Sequence, residues 1–235
     1  MQLQRYAFFA LSIGMMLWSG SAFSQEGRTT GLMFLEEDRY RSIPLATPPL
    51  LGDLPTDVDL SANFPLPGQQ GAQSSCVGWA VANLKAYQEQ VERKWGLNSR
   101  SHQFSPAYIY NQIKTSQDCR GGSNFEAALN LLRRSGMATL SDFPYDESSC
   151  DRLPGQAIVQ RSQQFAIADW RRVNVQDETE IKTQIAAGFP ILIGMSVDDG
   201  FSNLRSGAIY SSRSGNSRGG HAMVGGGFAD DSRAF

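Results

Sequence analysis

The chain has 235 residues, 41% of them hydrophobic and 19% charged, with a formal net charge of −2. That length suits one large domain or two small ones, and either can bury a proper core. Charges of both signs are mixed along the sequence with no basic stripe, which removes the electrostatic reason to expect nucleic acid or an anionic membrane as a partner.

Arg5 supplies a positive n-region, residues 6–18 form an apolar stretch, and Ala22 and Ser24 occupy the −3 and −1 places of a small-residue cleavage site before Gln25. The stretch is short for a bilayer core, which needs about 20 apolar residues. No basic stop-transfer flank follows it. Residues 1–24 are therefore expected to be a cleaved signal peptide, leaving a secreted or periplasmic protein with no membrane attachment. Residues 25–53 read as an extended leader, because Pro44, Pro48 and Pro49 favour polyproline or irregular chain over helix.

Residues 54–67 continue extended, and 68–71 form a glycine-bounded turn. Residues 76–95 read as a helix, with Val77, Ala80, Val81, Leu84, Tyr87 and Val91 recurring at threes and fours before Gly96. Ser74 and Ser75 are its candidate caps. Ser105-Pro106 opens a second helix that runs to about Lys114. Ser123 and Glu126 have capping-box spacing for a third, ended by Gly136. A fourth fits residues 178–187. The remainder is strand-rich: 165–173, 190–197, 207–211 and 221–229. Helices first and strands afterwards predict an α+β fold, a helical lobe against a β-rich lobe with the site in the cleft between them.

The three cysteines, Cys76, Cys119 and Cys150, all follow the export signal. In an oxidising compartment an odd count suggests one pair and one free thiol, without saying which is free. Cys76 stands at a predicted helix start, where unpaired amides and the helix dipole favour an anion and hence the reactive thiolate. Gln70, six residues earlier across the Gly71 turn, is placed to aim its amide near the sulfur. Of the two histidines, His221 lies about 145 residues downstream, within the spacing of papain-type nucleophile and base pairs. His102 sits in a Ser-rich polar stretch and reads as a surface or capping residue.

These segments resemble the papain-like cysteine peptidase family, in its bacterial-type branch, along residues 54–235. The nucleophile segment is Gln70 to Ala80. Ser105-Pro106-Ala107-Tyr108-Ile109-Tyr110 is similar to the family's second-helix segment, and Cys119-Arg120-Gly121-Gly122 to its Cys-x-Gly-Gly loop. Phe143-Pro144-Tyr145 before Cys150, Gly207-Ala208-Ile209-Tyr210 and His221-Ala222-Met223-Val224 complete the series. The resemblance implies a two-lobed papain-like fold and a cysteine-type endopeptidase without metal or cofactor. Cys76 would be nucleophile, His221 base and Gln70 the oxyanion-hole amide, with Gly121 and Gly122 lying against an extended peptide. Peptide or protein substrates are the implied partners, with a proteinaceous inhibitor as a second candidate. With Cys76 so assigned, Cys119 and Cys150, which flank a helix-and-turn segment of one lobe, are the expected disulfide.

The sequence departs from the family pattern in three places. Gln73 replaces the Cys that usually precedes the nucleophile by three. The leader is far shorter than the family's inhibitory propeptide, which argues against inhibition by that device. The sequence as given reaches Phe235 without the Asn-bearing segment that orients the family's histidine, so this stretch by itself is expected to turn over little peptide. A papain-fold binding protein or pseudoenzyme is the alternative. A cell-wall amidase of related fold fits less well, for want of an Asp-Cys-Ser helix start and a closer histidine.

Overall fold

The computed structural model describes residues 29–205, 207–232 and 234–235. The expected signal peptide, residues 1–24, lies outside them. Among the described residues no helix is long and apolar enough to cross a membrane.

The centre is helix α2 (Cys76–Arg93; α1 is the short Glu37–Ser42 of the leader). Its apolar repeat buries Val77, Ala80, Val81 and Ala86 almost completely. The left-handed turn that ends it is made by Lys94, at φ 57°, whose N–H bonds Gln90 O, rather than by Gly96. Helix α3 (Pro106–Ile113) packs on it, with Pro106 in the first turn and Ser105 Oγ accepting from Tyr108 N. Its Tyr108, Ile109 and Tyr110 are fully buried. Helix α4 (Phe125–Ser135) is capped by Asn124, which accepts from Ala127 N, and not by the Ser123 of the expected box. Ser123 is spent elsewhere, as described below. Helix α5 (Gln156–Ser162), which the sequence reading missed, and helix α6 (Glu178–Ala186) complete the helical frame.

The β-rich part is smaller than expected. Strand β2 (Ile191–Asp198) runs into the one-turn α7 (Asp199–Ser202) and pairs antiparallel with β3 (Ser217–Gly225), setting Met195 opposite His221. Strand β1 (Asp57–Asp59) pairs antiparallel with β4 (Gly227–Ala229). Two predicted strands do not form. In 165–173, Phe165 turns inward onto Trp95 and Phe104, and only Arg172 makes an isolated bridge, to Leu45. In 207–211, Tyr210 is held by its hydroxyl on Asp198 at 2.9 Å instead of by backbone pairing. The mixed α+β class stands, and β3 packs directly on α2.

Cys119 and Cys150 form a disulfide across 31 residues, and Cys76 is the free cysteine. Closing a loop of that length should contribute about 3–4 kcal/mol by chain entropy. Replacing both with Ser is expected to lower the unfolding free energy by about that amount in a denaturant titration, with the m-value raised because the uncrosslinked unfolded chain exposes more surface. An unchanged midpoint would show that the bridge is not a stabilising constraint.

Candidate active site

Cys76 opens α2 and is 1% exposed. The residue before it, Ser75, occupies the N-cap position but makes no side-chain cap. Neither does Ser74 supply the expected one. Ser74 gives its backbone N–H to Cys119 O at 2.9 Å. The amides at the helix start thus stay turned toward the sulfur, where those of Val77, Cys76 and Ala222 favour the thiolate. Burial nevertheless outweighs them and pushes the Cys76 thiol up, against the lowering expected from the helix terminus alone.

The loop from Gln70 to Ser75 is held on two sides. Gly71 turns it at φ 64°, a conformation that suits glycine. Gln73, standing where the family has a cysteine, is 2% exposed and donates its amide to Asp146 O at 2.6 Å. That bond ties the loop to the segment before Cys150. On the other side, Tyr110 of α3 donates to Cys119 O at 2.7 Å and Gly121 O at 2.8 Å.

His221 lies on β3 immediately before Ala222, whose amide faces the Cys76 sulfur, and its ring meets Phe201 at 5.9 Å. Cys76 and Ala222 share one buried cluster, so the helix start and the histidine strand meet in the core. His102 is remote from them, stacked on Trp95 at 4.7 Å with Nδ1 on Gly96 O. Of the two glycines, Gly122 borders the cleft: a Cβ there would stand 2.6 Å from Gly31 O. Gly121 faces Ser116 and Tyr110 instead. On this side the backbone groups that meet an extended chain belong to Ser123, which the sequence singled out only as a capping residue.

That extended chain is the protein's own leader. Residues 29–34 lie between Ser123 and Gly220, with Leu32 in a parallel bridge to Ser123. Ser123 N donates to Gly31 O at 2.8 Å, Met33 N to Ser123 O at 2.9 Å, and Leu32 N to Gly220 O at 3.0 Å. Gln70 Nε2 donates to Thr29 O at 3.0 Å and to Gln73 O at 2.6 Å. Leu32 is 8% exposed and packs in the cluster that holds Cys76 and Ala222. Beyond this strap, α1 is fastened by Arg39, whose Nε–H reaches Glu126 at 2.9 Å and holds that carboxyl below its usual range. Arg172 also lies over the Tyr40 ring and donates to Ile43 O at 2.9 Å. Despite its shortness, the leader fills the cleft, because a few residues of paired backbone suffice to cover it.

A buried free cysteine at an uncapped helix start thus packs against a histidine-bearing strand. A sequence profile of the papain family of cysteine proteases matches residues 54–234. The chain belongs to the papain family. Among solved structures it is similar to xylellain, a cysteine protease from Xylella fastidiosa, at 21% identity and TM-score 0.73, covering 87% of this chain and 81% of that one. It is also similar to procathepsin B S9 from Trypanosoma congolense, at 17% identity and TM-score 0.63, covering 86% and 72%. These likenesses establish the shared fold. No curated protein sequence matches it.

The strap adds burial to the thiol and also one favourable amide, that of Gly31; burial is the larger effect and the Ala222, Val77 and Cys76 amides remain, so its removal should lower the Cys76 pKa. Alkylation of the intact chain is expected to be slow, with its pH profile displaced above that of an ordinary thiol. After cleavage at the exposed Leu50 and loss of the leader, the profile should move down and the rate rise. A profile unmoved by loss of the leader would contradict the desolvation account.

Proposed function

We propose that this protein is an exported cysteine endopeptidase whose papain-like domain includes residues 54–235, with Cys76 as nucleophile, His221 as base and Gln70 as the oxyanion-hole amide. The observation that supports this reading is the free thiol at the α2 terminus, met by backbone amides, with Gln70, six residues before it, already holding a peptide carbonyl, that of Thr29. In the reaction His221 takes the thiol proton and Cys76 Sγ attacks a substrate carbonyl. The developing oxyanion receives the Gln70 amide and the Cys76 backbone N–H. The imidazolium then protonates the leaving amine, and water activated by the same ring releases the acyl group. A disulfide among the cysteines fits the secreted or periplasmic location that the export signal leads one to expect.

Residues 29–34 act as a latency strap in this scheme. The group they turn to the sulfur is the Gly31 amide, which cannot be attacked, rather than a carbonyl carbon. An extended substrate would take over the Ser123 pairing and seat an apolar side chain where Leu32 now sits.

Peptide hydrolysis by the purified protein is expected to fall more than about 10³-fold in Cys76→Ala and His221→Ala. In Gln70→Ala it should fall about 10²–10³-fold. Leu32→Arg, which cannot bury its charge in that cluster, should shorten or abolish any activation lag. Full hydrolysis by Cys76→Ala would overturn the assignment.

A further inference from the structure

Three features of the nucleophile loop have no part in the scheme above. Ser75 is 0% exposed and stands at the N-cap of α2, yet its hydroxyl does not cap the helix. It bonds the Tyr145 hydroxyl at 2.8 Å. Tyr145 in turn donates to the backbone carbonyl of Gln70 at 2.7 Å. The single phenolic proton goes to Gln70 O, so Ser75 Oγ–H must be the donor to the Tyr145 oxygen. The result is a directed chain from the residue before the nucleophile, through one phenol, to the main chain of the residue that carries the oxyanion amide.

Tyr145 is itself well fixed. Its ring meets Trp79 of α2 edge-on at 5.0 Å. Asp146 next to it accepts from Gln73, and the Glu147 side chain covers Gly71, where a Cβ would come within 2.8 Å. Burial pushes the Tyr145 phenol up, which keeps it a donor through the neutral and mildly alkaline range. Three consecutive residues therefore splint the turn between Gln70 and Cys76.

We propose that Tyr145 is a positioning residue for acyl transfer. Its hydroxyl, bridging Ser75 Oγ and Gln70 O, sets the distance between the oxyanion amide and the nucleophile. The proposal rests on the roles given to Gln70 and Cys76 above. The geometry of an oxyanion hole must match the displaced oxygen of the intermediate, so a loop free to drift by a fraction of an ångström loses part of its effect. Thiolate formation depends on the α2 amides and His221 and does not require the bridge.

Two single-event reactions at Cys76 separate these contributions. Acylation by a p-nitrophenyl ester passes through a tetrahedral oxyanion. Displacement of iodide from iodoacetamide by the thiolate does not. Opening of the strap enters both rates and cancels in their ratio. Tyr145→Phe is expected to lower the acylation-to-alkylation ratio about tenfold, less than the loss of a whole oxyanion donor, while the alkylation rate and its pH profile stay unchanged. Ser75→Ala, which sacrifices no helix cap, should act in the same direction and covers the case in which the tyrosine variant folds poorly. In a Gln70→Ala background, neither substitution should lower the ratio further. An unchanged ratio in both variants, or an equal fall in the Gln70→Ala background, would overturn the proposal. Persistence of both reactions in Cys76→Ala would instead sink the assignment of the nucleophile.

Discussion

Helix α2 begins with a serine that does not cap it. A buried helix start without side-chain partners leaves N–H groups that need an acceptor, and those of Cys76 and Val77 meet the sulfur of Cys76. Much of the surrounding structure maintains that condition. Ser74 is drawn off to Cys119 O, and Ser75 to Tyr145. Gln73 is drawn off to Asp146 O.

The same site explains how a short leader can hold the protein latent. Residues 29–34 satisfy the free backbone groups of Ser123 and Gly220 and seal the thiol from water with Leu32. Desolvation then opposes the amides and raises the Cys76 pKa, which favours the protonated thiol. The fastening at Arg39–Glu126 and Arg172–Tyr40 lies away from the sulfur, on α4 and the 169–173 segment, where it is open to release.

Much of this was legible in the sequence where local and tertiary preferences agree. The α2 apolar repeat, the Ser-Pro start of α3, the Cys119–Cys150 pair and the β2 run all fall where their patterns place them. The failures have physical causes. Alternation in 165–173 imitated a strand, but Phe165 is claimed by the aromatic cluster with Trp95 and Phe104. Ser123 fitted a capping box, yet Asn124 caps and Ser123 pairs with the leader, a contact spanning about 90 residues that no local pattern encodes. Ser75 likewise looked like a cap because its bond to Tyr145 is a tertiary fact. The leader's length likewise gave no sign that residues 29–34 pair with Ser123 and Gly220.

The central claim is that Cys76 carries the acyl group during turnover. Acid quenching of the protein during hydrolysis of a slow peptide ester, followed by intact-mass measurement and peptide mapping, tests it directly. The account predicts one acyl adduct on the peptide containing Cys76, discharged by added water or amine on return to neutral pH. Turnover with no adduct, or an adduct on any other residue, would contradict it.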